Sequence, residues 1–586
     1  MEVTRLFDIL ERNVVEFPKD DAICGKENGV WTKYSSKQYL ETVNNISYGL
    51  LQLGIQKGDC IATITPNRPE WNLLDMAIMQ IGAVHVAIYP TISESDYDYI
   101  LHHAAIKMVF VFGWELLRKI NNIIEGIPEL NDKVYTLRNL RGYRHLNEVI
   151  ELGRANPCPQ YLKEIKDSIT PHDIVSIVYT SGTTGNPKGV MLSHENFLTN
   201  VRGVLPIIPT PNGYNRVLSF LPLCHVYERM MNYVWQYLGI PIYYAENLAK
   251  IADNMQELNP TLFTTVPRLL EKIYDKILAK GRALKGIKRK IFFWANDVAL
   301  EFDYNKGKAY HRKLAIARKL VLNQWKAATG TSMRVIVSGG AALQPKIAKI
   351  FWAMGVSIIE GYGLSETSPV IAVSNFFKGG LELGAVGPVL PGTLCKIAED
   401  GEILTKGKHV MKGYYHDDEK TRETIDEDGW LHTGDLGTLT NGRLRVTGRK
   451  KEMFKTAMGK YVVPTIIETK FAEDVLIDNI MVVGENKQFA GALIVPNFAD
   501  LRAWCNKKGI KYTTNEEMVK NKEVYEKFKK IVNEYNKFFG ETEKVKKFML
   551  IGHEWSIQTD ELTPTLKLKR NKLLQKYSEQ IEELFN

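Results

Sequence analysis

Short apolar runs alternate with amphipathic helical patterns over most of the first 400 residues of this 586-residue chain, which limits its possible folds more than any other feature. The runs end at Gly, Pro, Ser or Thr, as buried strands do where the chain crosses over into a helix. They are DCIATITP (59–66), HVAIYP (85–90), KMVFVFG (107–113), DIVSIVYTSG (173–182), RVLSFLPL (216–223), TLFTTVP (261–267), RVIVSGG (334–340) and SIIEGYG (357–363). The pattern predicts an α/β fold with parallel sheets, whose ligands bind beyond the carboxyl ends of the strands.

The pattern of predicted elements changes near residue 384, where short strands separated by turns indicate a small β module. A lysine-rich α/β segment follows residue 452, with strands predicted at 479–485 and 491–497 and helices at 514–539 and 568–585. We therefore predict a domain boundary near Lys451, which divides the chain into residues 1–450 and 451–586.

Composition and cysteine spacing exclude several classes of protein. Six cysteines lie far apart, without a CxxC pair or a Cys/His cluster, which argues against a disulfide framework and a structural zinc site and favours a reducing compartment. The N-terminus lacks the apolar core of a secretory signal. The apolar stretch 73–90 is interrupted by polar residues and predicts a buried helix followed by a strand. These features predict a cytoplasmic protein, either soluble or peripheral at the inner face of a membrane.

The segment 276–330 is strongly basic. It carries 14 Lys and Arg against 3 Asp and Glu, with Phe292, Phe293 and Trp294 among them. A solvated pair of helices that covers a sheet edge is one interpretation, and a basic-aromatic face for an anionic membrane is another. Nucleic acid is not predicted as a partner, because no recognisable nucleic-acid-binding motif accompanies the charge.

The sequence YTSGTTGNPKG (179–189) directly follows the strand DIVSIVY and is suited to holding a polyphosphate. Its glycines permit tight turns that expose backbone N–H groups, its hydroxyls add donors, and its lysine adds a cation. It is not a Walker A loop, because Pro187 and Gly189 stand where that motif requires Gly and Ser or Thr. The candidate phosphate-binding residues are Thr180, Ser181, Gly182, Thr183, Thr184, Gly185 and Lys188.

This loop resembles the signature phosphate loop of the adenylate-forming superfamily, which includes acyl-CoA synthetases, peptide-synthetase adenylation domains and beetle luciferases. The resemblance continues in order over nearly the whole chain through SGGAA (338–342), GYGLSET (361–367), GWLHTGD (429–435), VTGRKKE (446–452) and LTPTLKLKR (562–570). Five or six motifs in the right order are far more specific than any one of them.

The resemblance implies nucleotide-binding roles that agree with the chemistry of each side chain. Tyr362 offers a flat face to the base, Glu366 is a hard oxygen ligand for Mg²⁺, and Thr367 adds a hydroxyl near the phosphates. Asp435 accepts hydrogen bonds from the ribose hydroxyls, and Arg449 supports ribose and phosphate. Small residues let the nucleotide approach the backbone closely: Gly339, Gly340, Ala341 and Gly363.

The C-terminal motif is expected to supply the catalytic lysine of the first reaction step. A cation there stabilises the charge that develops at the α-phosphate. Alignment with the family motif places this lysine at Lys569, and Lys567 is the alternative register. The resemblance also implies a hinge at Lys451 and a contact between Lys460 and CoA. Met458 stands where CoA-binding relatives commonly have glycine, which puts the geometry of the thioester step in doubt.

Three segments look like the long-chain branch of the fatty acyl-CoA synthetases: LPLCHVYER (221–229), the basic segment 276–330 and LTPTLKLKR. In the first of these, His225 is suited to positioning the acyl carboxylate, with a core histidine as the alternative. Trp235 is a candidate gate of an acyl tunnel, and a core tryptophan is the alternative reading that we favour.

The resemblance therefore implies a large N-terminal domain of two packed α/β subdomains with a β module, and a mobile α+β C-terminal domain. The implied reaction activates a long-chain fatty acid to acyl-AMP with ATP and Mg²⁺ and then forms a thioester with CoA. A medium-chain or aryl acid, or a carrier protein in place of CoA, stays open. A nucleotide-dependent membrane-binding protein without activity is the rival hypothesis, and the joint presence of five site residues argues against it: Lys188, Glu366, Asp435, Arg449 and Lys569.

Overall fold

The helices and strands follow the alternation expected from the sequence. The computed structural model describes residues 2–180, 186–208, 213–327, 329–374, 382–556, 558–563 and 567–586. Up to residue 180 the elements are α1 (Asp8–Glu16), β1 (Ile23–Glu27), β2 (Val30–Tyr34), α2 (Ser36–Gln52), β3 (Cys60–Ile64), α3 (Pro69–Gln80), β4 (Val84–Ile88), α4 (Glu94–His103), β5 (Met108–Val111), α5 (Trp114–Glu125), β6 (Val134–Thr136), β7 (Arg144–His145), α6 (Leu146–Ala155), α7 (Pro159–Ser168) and β8 (Ile174–Thr180). From residue 186 to residue 374 they are β9 (Lys188–Ser193), α8 (His194–Val204), β10 (Val217–Ser219), α9 (Val226–Tyr237), β11 (Ile242–Tyr244), α10 (Ile251–Leu258), β12 (Leu262–Thr265), α11 (Pro267–Ala283), α12 (Gly286–Leu300), α13 (Lys308–Ala317), α14 (Asn323–Ala327), β13 (Val335–Ser338), α15 (Pro345–Ala353), β14 (Ser357–Gly363) and β15 (Val370–Val373).

The elements become shorter after residue 382, as expected from the predicted β module of short strands and turns. They are β16 (Gly387–Pro388), β17 (Leu394–Ile397), β18 (Glu402–Lys406), β19 (Gly413–Tyr414), α16 (Asp418–Thr424), β20 (Leu431–Thr440), β21 (Arg443–Arg449), β22 (Phe454–Lys455), β23 (Tyr461–Val462), α17 (Pro464–Phe471), β24 (Ile477–Val483), β25 (Ala490–Pro496), α18 (Phe498–Lys508), α19 (Asn515–Lys520), α20 (Lys522–Tyr535), β26 (Val545–Leu550), α21 (Arg570–Lys576) and α22 (Ser578–Phe585). Each apolar run quoted above contains an observed strand, so the prediction of an α/β fold is confirmed.

Two eight-stranded sheets form the large N-terminal part of the molecule. Their strand orders are β19-β9-β8-β4-β3-β5-β6-β7 and β15-β14-β13-β12-β10-β11-β1-β2. The central strands are parallel, but β9, β15 and β2 pair with their neighbours in antiparallel fashion. The prediction of parallel sheets thus holds for the sheet centres, whereas β19, β15 and β2 form antiparallel edges and the edge strand β7 is parallel to β6.

Local sequence signals define where many of the helices begin. The Ser35 hydroxyl accepts the N–H of Gln38 at 3.1 Å, and the Gln38 side chain accepts the N–H of Ser35 at 2.9 Å, which satisfies two otherwise unpaired donors of α2. Proline occupies the first turn of α3, α11, α15 and α17, where its missing N–H costs no helical hydrogen bond.

The two ends of the chain have separate hydrophobic cores. The β module is a five-stranded sheet with the order β16-β21-β20-β18-β17, and beyond it β24, β25 and β26 form a three-stranded sheet. The core around this last sheet extends from Phe454 to Leu584, while the clusters that precede it reach Leu444. The predicted boundary at residues 450 and 451 falls between these cores.

A buried ion-pair network joins elements of the first sheet to α9. The Asp75 carboxylate contacts the Arg229 guanidinium, accepts the Tyr233 hydroxyl at 2.7 Å and lies 2.6 Å from His85 Nδ1. The Asp75 and Arg229 side chains are at most 1% exposed. Burial alone would raise the pKa of Asp75, but the positive charge of Arg229 and these hydrogen bonds hold it below its usual value. The network therefore fixes α9, which begins directly after His225.

Replacing Asp75 by alanine should destabilise the N-terminal part of the molecule by about 3–5 kcal/mol, because it leaves the Arg229 charge buried without a partner. Equilibrium urea unfolding measures the change. Asp167→Ala removes the carboxylate of an exposed ion pair on α7 and serves as the control, with little change expected. Equal midpoints for both variants would contradict a structural role for the network.

The basic segment is divided between core and surface. Phe292 is buried in a core cluster, and Phe293 and Trp294 pack against the same cluster, so the predicted aromatic face contributes mainly to the interior. The cations at the start of α12 remain exposed. None of the helices in the described ranges is long and apolar enough to cross a membrane.

Candidate active site

Asp435 contacts two other residues that are predicted to bind the nucleotide, Arg449 and Tyr362. β20 and β21 pair so that Asp435 stands opposite Arg449, whose Nε lies 3.0 Å from Asp435 Oδ1. Tyr362, near the end of β14, donates its hydroxyl to Asp435 Oδ2 at 2.8 Å. Burial raises the pKa of Asp435, and the Arg449 charge and the Tyr362 hydroxyl oppose that rise. The carboxylate is thus oriented by two donors, as a group that accepts hydroxyls must be.

Glu366 and Lys188 lie on two sides of Tyr414. Tyr414 donates its hydroxyl to Glu366 Oε1 at 2.7 Å, and the Lys188 ammonium lies 5.3 Å from the centre of the Tyr414 ring. The ring reaches this position because β19 adds to the edge of the first sheet beside β9. Burial lowers the pKa of Lys188, and the charges of Lys420 and Lys451 lower it further. The sequence analysis did not single out Tyr414.

The predicted phosphate loop connects β8 to β9. Thr180 ends β8 and pairs with Lys188, the first residue of β9. Ser181, Gly182, Thr183, Thr184 and Gly185 lie outside the described residues. The two ends of the loop therefore lie side by side at the carboxyl end of β8, where the sequence analysis expects a ligand.

The small residues of the predicted nucleotide segments are required in part by packing within the protein. A Cβ atom on Gly339 would lie 3.1 Å from the Tyr227 ring, and one on Gly363 would lie 1.6 Å from the carbonyl oxygen of Pro369. Gly340 has a φ of +81°, in the region that favours glycine. Ala341 follows it, three residues after the end of β13.

The Thr367 hydroxyl makes hydrogen bonds within its own turn. It is buried, donates to the carbonyl of Pro369 and accepts the N–H of Leu364 at 2.9 Å. The structure thus engages this hydroxyl in holding the turn that carries Glu366.

Lys567 lies close enough to Asp435 and Arg449 for their charges to act on it. The surrounding protein partly excludes water and lowers its pKa to about 8, with the Arg449 charge as a further cause. Lys569 instead forms an ion pair with Asp560 on the C-terminal domain. The assignment of the catalytic lysine to Lys569 stays a prediction, and the charges around Lys567 favour the alternative register.

His225 is the N-terminal cap of α9 and lies near Lys567, whereas Trp235 belongs to the core. His225 Nδ1 accepts the N–H of Tyr227 at 3.2 Å. Burial and the charge of Lys567 lower the pKa of His225 to about 4, so the imidazole is neutral at pH 7. Trp235 is 0% exposed and packs in the largest N-terminal cluster, as the favoured core reading expects.

The predicted CoA-binding hairpin is exposed to solvent. It joins β22 to β23 and contains Met458, 74% exposed, and Lys460, which is also exposed. The Lys460 N–H donates to the Thr456 hydroxyl at 3.3 Å. Lys451 is exposed in the turn after β21. Tyr362 and Arg449 thus both contact Asp435, whereas the hairpin faces solvent.

The Glu366 carboxylate is suited to binding Mg²⁺ together with the phosphate oxygens of ATP. Within the described ranges no group of three or more His, Cys, Asp and Glu side chains forms a metal site. Mg²⁺ is commonly held by one or two carboxylates, waters and substrate phosphates. The Glu366 carboxylate, which uses one oxygen to accept from Tyr414, fits that chemistry.

Comparison with known families decides the identity of the fold. A family described as AMP-binding enzyme matches residues 10–415, and the AMP-binding enzyme C-terminal domain matches residues 452–586. The chain belongs to the AMP-binding enzyme family. The resemblance drawn from the motifs is thereby confirmed, and with it the combination of a large N-terminal and a small C-terminal domain.

Curated relatives extend over nearly the whole chain. Long-chain-fatty-acid–CoA ligase FadD15 of Mycobacterium bovis is 32% identical over 95% of this chain and 93% of its own length. Long-chain-fatty-acid–CoA ligase ACSBG2 of Homo sapiens is 29% identical over 99% of this chain and 92% of its own. Long-chain-fatty-acid–CoA ligase 1 of Cavia porcellus is 30% identical over 100% and 87%.

Solved structures share the fold. The anthranilate CoA ligase AuaEII in complex with anthranoyl-AMP has a TM-score of 0.71 and 21% identity, over 97% of this chain and 96% of that one. The Mycobacterium tuberculosis fatty acyl CoA synthetase has a TM-score of 0.62 and 19% identity, over 98% and 99%.

Proposed function

We propose that this protein is a long-chain fatty acid–CoA ligase that consumes ATP and forms AMP and pyrophosphate. The observation that carries the proposal is that Lys567 lies close enough to Asp435 and to His225 for their charges to interact. In the proposed site this cation stands near a candidate ribose acceptor and a candidate acyl-carboxylate contact. The curated relatives described above support the long-chain acid and CoA as substrates.

The first half-reaction has to convert a free carboxylate into an electrophile. Attack of a carboxylate oxygen on the α-phosphorus of ATP forms acyl-AMP and releases pyrophosphate. In this proposal Asp435 holds the ribose, Tyr362 stacks on the base, and the loop that ends at Lys188 holds the phosphates. Lys567 offsets the charge that develops between the carboxylate and the α-phosphate. Mg²⁺, held by Glu366 and the phosphate oxygens, would neutralise charge on the departing pyrophosphate.

The second half-reaction transfers the acyl group to the CoA thiol and releases AMP. The exposed hairpin with Lys460 has to approach the site for this step, so we propose that residues 451–586 rotate about Lys451 between the two half-reactions. The separate cores on either side of residue 451 support such a rotation. The exposed Met458 lies on the hairpin that would then line the thiol channel.

Pyrophosphate release with Mg·ATP across acids from acetate to oleate, with and without CoA, tests the proposal. We expect release to peak at C14–C18 and to turn over only with CoA. A peak at a medium-chain or aryl acid would move the assignment within the family. Turnover with a purified carrier protein but not with CoA would change the acceptor, and nucleotide binding without release for any acid would indicate an inactive protein.

The pH dependence of the first half-reaction should show the loss of the positive charge on Lys567. The lysine is cationic below its pKa of about 8 and loses its charge above it. Because kcat/KM reports groups of the free enzyme, kcat/KM for ATP should fall as pH rises through about 8. Lys567→Arg keeps a cation at all these pH values and should remove that limb. Persistence of the same limb in Lys567→Arg would assign it to another group.

A peripheral contact with anionic membrane is the second part of the proposal. The start of α12 surrounds Ile287, 73% exposed, with exposed cations that have no carboxylate within 4.0 Å in the described part of the chain: Lys285, Lys288, Arg289 and Lys290. Cations at a helix N-terminus oppose the helix dipole, so their placement is unfavourable for the helix alone. An anionic lipid surface would compensate for this charge.

Co-sedimentation with phosphatidylcholine vesicles, with and without phosphatidylserine, tests this contact at low salt. Wild-type protein should sediment only with the anionic vesicles, and Lys288→Glu/Arg289→Glu/Lys290→Glu should not. Lys522→Glu/Lys529→Glu/Lys530→Glu makes the same charge change on α20 and should leave binding intact. No wild-type binding, or equal loss in both variants, would contradict the contact.

A further inference from the structure

Two ion pairs connect α11 of the N-terminal domain to the C-terminal domain. Arg268, in the first turn of α11, pairs with Asp478 on β24, and Arg282, in its last turn, pairs with Asp500 on α18. The four side chains are between 16% and 36% exposed. Because these side chains are partly buried, fewer water molecules compete with the ion pairs than at a fully exposed surface.

The same face of the N-terminal domain caps the end of α17. Gln344 donates its side-chain N–H to the carbonyl of Ala472 at 3.2 Å, and the Lys346 ammonium donates to the carbonyl of Glu473. The last carbonyls of a helix have no partner within the helix and carry its negative dipole end. Here a neutral donor and a cation from the other domain satisfy them.

This contact is connected to the lysine of the active site. Glu468 on α17 accepts a hydrogen bond from Arg570, and Arg570 Nε lies 3.3 Å from Glu452 Oε2. Arg570 follows Lys567 by three residues. Helix α17 therefore contacts the N-terminal domain at its C-terminal end, and its Glu468 side chain binds Arg570 in the segment that carries Lys567.

We propose that Arg268, Arg282, Gln344 and Lys346, together with Asp478 and Asp500, form an interdomain latch that positions Lys567 for acyl-AMP formation. All of these contacts have to break if the C-terminal domain rotates to bring its exposed hairpin to the site. The latch thus favours the first half-reaction over the second. The inference rests on the proposed two-step function, and its residues are positioning residues that act through Lys567.

Charge reversal tests the latch. Arg268→Asp and Asp478→Arg should each slow acyl-AMP formation, measured as pyrophosphate release without CoA, on the order of tenfold. Thioester formation from preformed acyl-AMP and CoA should be unchanged or faster. The double variant Arg268→Asp/Asp478→Arg restores an ion pair of opposite direction and should recover most of the lost rate. Equal slowing of both half-reactions, no effect of either single variant, or no recovery in the double variant would overturn the latch.

A readout independent of activity separates this inference from the proposed function. Amide hydrogen exchange at 267–283 and 464–483 should increase in each single variant and return toward wild type in the double variant. Lys163→Asp disrupts an exposed pair with Asp167 on α7 and should change neither exchange nor rates. If wild type released no pyrophosphate with any acid, the proposed function would fail, and hydrogen exchange would still decide whether these contacts hold the domains together.

Discussion

Lys567→Ala should slow acyl-AMP formation by about 10²- to 10³-fold and leave thioester formation from preformed acyl-AMP and CoA near the wild-type rate. The expected loss is large because the charge of this lysine acts on both the candidate ribose contact and the candidate acyl-carboxylate contact. In the proposed mechanism this charge serves only acyl-AMP formation, and the C-terminal domain rotates before the thioester step.

Lys569→Ala is the matched control, two residues along the same segment. Its ammonium pairs with Asp560, so we expect its removal to change both half-reactions little. Rapid-quench measurement of each half-reaction distinguishes the variants. A selective defect in Lys569→Ala with a normal Lys567→Ala would restore the register first predicted from the sequence, and equal loss of both half-reactions in Lys567→Ala would contradict its proposed role.

Asp435→Ala should lower kcat/KM for ATP by about 10²- to 10³-fold, since hydrogen bonds to a charged acceptor contribute about 1.5–3 kcal/mol each. The variant also leaves the Arg449 guanidinium without the carboxylate that lies 3.0 Å away. Steady-state pyrophosphate release at varied ATP concentration measures the effect.

Asp435→Ala and Lys567→Ala should differ in the second half-reaction. Acyl-AMP carries the same ribose as ATP, so loss of Asp435 should weaken both half-reactions, whereas loss of Lys567 should weaken only the first. An unchanged KM for ATP in Asp435→Ala, or normal use of preformed acyl-AMP, would remove Asp435 from the ribose site.

Local sequence patterns were sufficient to predict eight strands of the two large sheets, but not the other strands or the order in which they pair. The run 59–66 contains β3 because its residues are apolar and end at a turn signal. By contrast, β1 pairs with β11, with Ile23 opposite Ile242, and β19 joins the first sheet far from its neighbours in sequence. Such pairings depend on non-local packing, which periodicity does not encode.

The same limit applied to individual side chains at the site. Lys567 and Lys569 carry the same charge, and only the nearby Asp560 and Asp435 distinguish them. The hydrogen bond from the Thr367 hydroxyl within its own turn could not be predicted from the motif, because it depends on the local backbone geometry. The motifs named Asp435 and Arg449 separately, and their contact follows from the pairing of two adjacent strands of one hairpin.

The most direct test of the account is a rapid-quench experiment on the full chain with Mg·ATP and palmitate, followed by addition of CoA. We predict a burst of about one pyrophosphate per protein and accumulation of palmitoyl-AMP without CoA. Addition of CoA should convert the intermediate to palmitoyl-CoA and AMP in equal amounts. Formation of ADP, or of palmitoyl-CoA without any acyl-AMP, would contradict the proposed two-step mechanism.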